Sequence, residues 1–385
     1  MTMTDLATAR QILDTLIGFD TTSRNSNLAL IEWVEAYLAR HGVESQRVPN
    51  QDGRKANLFA ICGPKVEGGV ILSGHTDVVP VGGQDWSSDP WTVREADGKL
   101  FGRGVADMKG FIALALAFVP RFVAGKLPVH LALSYDEEVG CQGAPAMIAR
   151  MAQDIPSPRL AIVGEPSLMG IITGHKGIAV HEVSVRGHAA HSSLVDHGIS
   201  ANAVAVGLMH ELLALAEELR ARAAPDNGFD PPQATLTIGV MEGGTASNIL
   251  AGHARFQFDL RCPPGEDAAA ILAPFKARCE ALDAELKGRF PNAGVQVEQH
   301  AGTPPMTPQG SEDAVAFVRA LTGENGAPGQ VAFAAEGGQF QAAGFPTVIC
   351  GPGSIEQAHQ PDEWIALSEL EKGAAFMQRL AERLG

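Results

Sequence analysis

At 385 residues the chain exceeds what one hydrophobic core usually supports, so two domains are expected. With 45% hydrophobic and 19% charged residues it has the make-up of a folded globular chain and not of a disordered one. A formal charge of -15 repels phosphate backbones and anionic bilayers, which argues against nucleic acid and membrane as partners. Met1 to Gln11 lacks the apolar stretch of a signal peptide, and no apolar run nears the roughly 18 residues of a membrane span. Cys62, Cys141, Cys262, Cys279 and Cys350 form an odd, scattered set without a CxxC pair. They read as free buried thiols, which points to the cytoplasm.

In chain order, apolar residues recurring every three or four positions predict helices over Thr4–Ile17 and Leu28–Arg40. After Gly42 the texture changes to short apolar runs that end in polar clusters. Val70–Leu72 ends in Ser-Gly-His-Thr-Asp, and Val129–Leu133 in Ser-Tyr-Asp-Glu-Glu. Leu160–Val163 ends in Gly-Glu-Pro, and Thr347–Ile349 in Cys-Gly-Pro-Gly. Such runs read as buried strands of a largely parallel sheet. Gly110–Val123, apolar nearly all round, reads as a helix lying on that sheet. The acids and histidines follow the carboxyl ends of the strands, where open α/β sheets place their active sites.

Between about Gly177 and Gln299 the pattern is different. Alternating strands are predicted at Val180–Val185, Ala234–Val240, Arg255–Leu260 and Gly294–Gln299, with helices at Ile199–Arg222 and Ala268–Leu286. The order β-α-β-β-α-β is ferredoxin-like. The proline-rich piece Ala224–Pro232 reads as a loop within it. The fold expected is therefore α/β, residues 1–176 and 300–385 forming one domain into which an α+β domain, 177–299, is inserted.

The chemistry-bearing residues gather at the strand ends. His75 and Asp77 lie two apart on one side of an extended chain, a spacing suited to a metal-ligating histidine and its orienting carboxylate. Asp107 sits where a helix starts, and an N-cap is its structural alternative. The Gly102–Gly110 segment around it lacks the GxxxxGK[ST] order of a phosphate loop. Asp136-Glu137-Glu138 crowds three carboxylates; neighbours on extended backbone point opposite ways, so one glutamate can ligate while the other works as a base. A solvated turn is the alternative. With Glu165 and His359 the set holds donors for two ions if one carboxylate bridges, each ion then having one histidine, one private glutamate and the shared aspartate. Nitrogen and oxygen donors without thiolate suit Zn2+, Co2+ or Mn2+.

The strings SGHTDVVP, GRGVADMKG, DEEVG, GEPS, GHAAHSS, GGTASNI, DLRCPPG and CGPGSIEQAHQPDEW, in this order over nearly the whole length, resemble the M20 family of metallopeptidases and deacylases. The resemblance implies a metal-dependent exopeptidase-like catalytic domain with a lid and dimerisation domain, two divalent metal ions (Zn2+ first, Co2+ second), a small N-acyl amino acid as substrate, and a homodimer. It implies that His75, Asp107 and Glu165 hold one ion, and Asp107, Glu138 and His359 the other. Asp77 would orient His75, and Glu137 would be the general base and acid. His191 would stabilise the oxyanion, in its own or the partner subunit. Arg261 would clamp a substrate α-carboxylate, with a structural ion pair as its alternative; Asn248 would bond polar substrate groups or cap its turn. Glu336 would meet a substrate side-chain ammonium. Ser167, Leu194 and Trp364 depart from the commonest family strings, and none is an implied ligand.

Overall fold

The computed structural model describes residues 3–222 and 227–385, so positions 224–226 of the proline-rich piece lie outside the described residues. The chain divides into two compact units, Met1–His175 with Met306–Gln330 and Ala335–Gly385, and Lys176–Pro305 with Val331–Ala334.

Among the described residues of the larger unit lies an eight-stranded sheet. Its spatial order is Ser45–Pro49, Ala56–Cys62, Val129–Ser134, Val70–His75, Leu160–Pro166, Thr347–Gly351, Ile172–His175 and Gly329–Val331. The four strands from Val129–Ser134 to Thr347–Gly351 are mutually parallel, while the strands flanking them pair antiparallel. Every residue of those four parallel strands is buried, which is why their sequences read as unbroken apolar runs. From Val70–His75 the chain goes to one neighbour, Val129–Ser134, and then crosses to the other, Leu160–Pro166. The crevice over their carboxyl ends is thus a topological switch point.

Lys109–Ala117 is a helix in which all residues are buried. The single helix expected to Val123 is instead broken at Phe118, and a second short one spans Val119–Val123. Pro120 explains the break. It has no N–H to continue the ladder and is favoured in a first turn.

The smaller unit has strands Gly177–Arg186, Thr235–Gly243, His253–Cys262 and Gly294–Thr303, with helices Ala201–Ala221 and Ala268–Arg289. Its strands lie in the spatial order second, third, first, fourth and all pair antiparallel, the ferredoxin-like arrangement. Ser200 caps the first helix by accepting from Ala203 N. Phe256, Phe258, Val183 and Leu212 centre a core that belongs to this unit alone.

Two glycines permit close packing around the strand that carries Glu165, one against the neighbouring strand and one against the buried helix. A Cβ on Gly351 would lie 2.0 Å from the Gly164 carbonyl oxygen, and one on Gly164 would enter the Phe111 ring at 2.1 Å. Gly351→Ala should therefore destabilise the protein by about 3 kcal/mol or more, since backbone must move. Gly207→Ala, on an exposed helical face with nothing within 4 Å, should instead stabilise by roughly 0.5–1 kcal/mol. Denaturant midpoints of the two variants test the pair, and equal midpoints would contradict the close approach.

Candidate metal centre

The four parallel strands end in the residues singled out above. His75 is the last residue of Val70–His75, and Glu165 lies in Leu160–Pro166. Asp136-Glu137-Glu138 follow Val129–Ser134, and His359 is reached from Thr347–Gly351 by a loop. Asp107 precedes the buried helix, but the cap position is Met108 and no side chain caps it. Asp107 faces two histidines instead. Its Oδ1 is 2.9 Å from His75 Nε2 and its Oδ2 is 3.4 Å from His359 Nε2. Glu165 Oε1 lies 3.8 Å from His75 Nε2, and Glu138 Oε2 lies 2.8 Å from His359 Nε2. Among the described residues, two groups can each converge on a cation, His75–Asp107–Glu165 and Asp107–Glu138–His359, the ligand atoms of each lying within 4.8 Å of one another.

His75 tests whether a cation fits. Its Nδ1 is 2.9 Å from the main-chain oxygen of Asp77, an acceptor, so Nδ1 carries the proton. A neutral ring then turns the Nε2 lone pair on the Asp107 carboxylate. Two lone pairs at 2.9 Å repel unless a positive charge, proton or metal, stands between them. The donor chemistry fits two divalent metals bridged by Asp107.

The Asp77 carboxylate lies farther from the ring than the Asp77 carbonyl and serves other groups as well. It is 3.6 Å from His75 Nδ1, and its oxygens accept from Ser23 Oγ at 2.7 Å, Glu137 N at 3.1 Å and Glu138 N at 3.3 Å. It thus fixes the peptides that carry both glutamates. Those glutamates do not lie on extended backbone, since the strand stops at Ser134 and a turn follows. Asp136 takes a left-handed conformation (φ 57°) and is held by Lys55 at 2.5 Å. The two glutamates still part company. Glu138 pairs with His359, while Glu137 Oε1 accepts from the Cys141 thiol at 3.2 Å. Neither Cys141 nor Lys55 stood out in the sequence.

Burial pushes Glu137 up to about 8, opposed by His75 and reinforced by Glu138, Asp107 and Glu336. Burial and the Asp107 charge push Glu138 up to about 7 against the pull of His359, and burial raises Glu165 well above its usual range. Burial would also raise Asp107, but its two histidines outweigh it and hold the group well below the carboxylate range. The Asp107 and Glu138 hydrogen bonds lift His359 to about 10.

Glu336 is 1% exposed. Its Oε2 accepts from Ser73 Oγ at 3.2 Å, and the Ser134 hydroxyl is near enough to favour its charged form. Its Oε1 makes no fully formed hydrogen bond among the described residues. His191, Asn248 and Arg261 lie in the smaller unit. Asn248 O accepts from Ser192 N at 2.9 Å and Leu250 N donates to Ala190 O at 2.8 Å, so the segments bearing His191 and Asn248 run side by side. His191 Nδ1 accepts from Ser193 N at 3.2 Å, which leaves the ring proton on Nε2. Arg261 is inside the strand His253–Cys262, with Nε 3.3 Å from both Asp259 oxygens.

The model of peptidase family M20/M25/M40 matches residues 71–383. The chain belongs to this family. It is 33% identical to an acetylornithine deacetylase of Myxococcus xanthus over 97% of each chain. It is 34% identical to that of Proteus mirabilis over 97% of this chain and 95% of the relative. In fold it is similar to the M20 metallo-carboxypeptidase Sso-CP2 of Sulfolobus solfataricus, with a TM-score of 0.76 and 16% identity over 97% and 98% of the two chains. It is similar also to the Bacillus subtilis YXEP protein, a dinuclear metal-binding peptidase from the M20 family, with a TM-score of 0.64 and 15% identity over 99% and 98%. As an M20 member the chain is a metal-dependent amidohydrolase, and its site is one for divalent metals.

A pH dependence follows for the metal-stripped protein. Glu137 and Glu138 hold protons in the folded state to about pH 8 and 7, against an ordinary 4.5. His359 holds one to about 10, against 6.5. These site groups therefore bind more protons in the folded state than in the unfolded from about pH 5 upward. Their contribution to stability falls as pH rises through that window, opposed in part by the buried Lys109, lowered to about 7. The lowered Asp107 acts in the opposite sense only at acid pH. The melting temperature of stripped protein should drop between pH 5 and 9, and a saturating divalent metal, which displaces those protons, should flatten or reverse the slope. A stripped protein that gains stability over this range would contradict the assigned charges.

Proposed function

We propose that the chain removes the acetyl group from N2-acetylornithine, giving ornithine and acetate, a step of arginine biosynthesis. The observation carrying the reading is the bridging Asp107, one oxygen turned to each of two histidines at strand ends, in a chain about one-third identical over nearly its full length to proteins named acetylornithine deacetylase. Zinc is the metal proposed, with cobalt second, on the nitrogen and oxygen donor set. His75, Asp107 and Glu165 would hold one ion, and Asp107, Glu138 and His359 the other. Bound there, two such ions supply an acidified water and a polarised amide carbonyl.

The chain's own groups do the rest. Glu137 takes a proton from the attacking water on a carboxylate oxygen and delivers it to the departing amine nitrogen. Nε2–H of His191 donates to the carbonyl oxygen as negative charge develops there. Arg261 pairs with the substrate α-carboxylate through guanidinium N–H groups other than the one turned to Asp259. Asn248, beside His191, offers an amide to the substrate's polar groups. Glu336, with no fully formed hydrogen bond at Oε1, favours a cationic substrate side chain; its burial means that contact requires the side chain or its cover to shift.

A homodimer through the smaller unit is proposed as well. Thr235–Gly243 is an edge strand that exposes Val240 and Met241, the latter by 65%, beside a helix that exposes Val206 and Leu213. The cytoplasm is the proposed compartment, on five buried cysteines outside any disulfide. Among the described residues no helix is long and apolar enough to cross a membrane.

A steady-state comparison of N2-acetylornithine, acetylcitrulline, succinyl-diaminopimelate and a dipeptide tests the substrate. Acetylornithine should lead in kcat/KM, and Glu336→Gln should narrow its lead over the uncharged acetylcitrulline. A better rate on any of the other three would displace the proposal. Glu137→Gln should lower kcat roughly 10²–10⁴-fold with metal content unchanged; activity within a few-fold of the parent would reassign the base. Arg261→Ala should raise KM for substrates with a free α-carboxylate and leave an ester analogue nearly unaffected. Equal loss on both would restrict the residue to its Asp259 pair.

A further inference from the structure

Glu363, four residues past His359, belongs to no ligand set and is 1% exposed. Its carboxylate is fully used. Oε2 accepts from Arg103 Nη1 at 2.8 Å and from Gly104 N at 2.8 Å. Oε1 accepts from Ala106 N at 2.9 Å and from Asp107 N at 3.1 Å. The glutamate therefore grips the backbone of the loop that presents the bridging aspartate. Arg103, also 1% exposed, continues outward: its Nη2 donates to Gln84 Oε1 at 2.6 Å, and its guanidinium lies over the Trp86 ring at 5.0 Å. Gln84 Nε2 then donates to the main-chain oxygen of His359 at 2.9 Å. Asp107 and His359, far apart in sequence, are thus joined by an unbroken run of hydrogen bonds through Glu363, Arg103 and Gln84.

His359 needs such a hold. It sits outside regular structure at a left-handed φ of 63°, and half of its side chain is exposed. His75, by contrast, ends a fully buried strand. A flexible ligand loses freedom when it binds a cation, and a second contact that already fixes its backbone reduces that loss.

We propose that Glu363, Arg103 and Gln84 form a clasp that sets the placement of Asp107 and His359 before metal binds, and thereby the affinity of the second metal position. The three are positioning residues; none touches the ion. The proposal rests on reading Asp107, Glu138 and His359 as that position. The two ends of the clasp act differently. Glu363 acts through the shared Asp107 and so on both ions, whereas Gln84 meets His359 through Nε2 and Arg103 through Oε1, so its loss falls first on the His359 position.

Calorimetric titration of the stripped full-length protein with zinc alone separates these roles. The parent protein should bind two equivalents. Gln84→Ala, at a partly exposed position, should weaken one binding event by about 10–100-fold and the other by much less, because Arg103 Nη1 still holds Glu363. Its metal-free melting temperature should fall by a few degrees at most, since Arg103 Nη2 loses its Gln84 acceptor while Nη1 keeps Glu363. In a His359→Ala background, where only the first position remains, Gln84→Ala should cause little further loss. Glu363→Gln, which presents an amide N–H₂ to two of its four donors, should weaken both events. If Glu363→Gln fails to fold, the Gln84 comparison still decides. Two unchanged events in Gln84→Ala, or equal weakening of both, would overturn the clasp. A parent protein that binds no zinc would overturn the metal reading itself, a separate outcome.

Discussion

Five carboxylates, Asp77, Asp107, Glu137, Glu138 and Glu165, occupy one crevice with two histidines, and this like charge is the constraint around which the larger unit is built. Buried anions repel one another and lose hydration, so each is tolerable only against a donor or a cation. The fold supplies donors to some. Asp77 has a hydroxyl and two peptide N–H groups, and outside the crevice Glu363 has an arginine and three peptides. Glu165, Glu138 and Glu137 have far less. Their raised affinity for protons measures that shortage, and Asp107 avoids it only because two histidines face it. The crevice is therefore divided between carboxylates satisfied by the protein and carboxylates that await positive charge. Metal ions belong to the second kind.

The parallel sheet makes this division possible. Four adjacent strands deliver His75, the Asp136–Glu138 turn, Glu165 and the loop to His359 to one edge, and burial of both faces fixes the register of each. Gly351 lets Thr347–Gly351 lie close against the Gly164–Glu165 backbone, and Gly164 lets its own strand lie on Phe111. The geometry of the site is thus a by-product of packing that the apolar core enforces.

Much of this was legible beforehand because burial leaves a sequence signature. Runs such as Val70–Leu72 and Leu160–Val163 announce strands, and the polar residues just past them mark the site. The ferredoxin-like order of the smaller unit was readable from alternation alone. What escaped reading were contacts whose partners are distant or whose atoms belong to the main chain. Glu363 looks like a surface acid in PDEW, and nothing local reveals that it accepts from Gly104, Ala106 and Asp107. The His–x–Asp spacing suggested a carboxylate on His75, whereas the Asp77 carbonyl is the nearer acceptor and the carboxylate serves the Glu137 and Glu138 peptides. The Phe118 break was readable in principle, since Pro120 was in plain view, but the apolar periodicity ran straight through it.

For Glu137 and Glu138 the premise of the sequence reading differs from what the structure shows. Opposite orientation on extended backbone was the reason to give them different tasks, yet they lie in a turn. Their division has another source. Asp77 pins both peptides from one side, the left-handed Asp136 and its Lys55 partner fix the approach, and the side chains then leave toward Cys141 and His359. A side chain committed to His359 is available to a cation there and is held by it. One that accepts from a thiol, a weak donor, keeps its lone pairs for a proton. The distinction proposed between ligand and base therefore resides less in the two identical residue types than in what stands opposite each, and Asp77 holds the peptides of both.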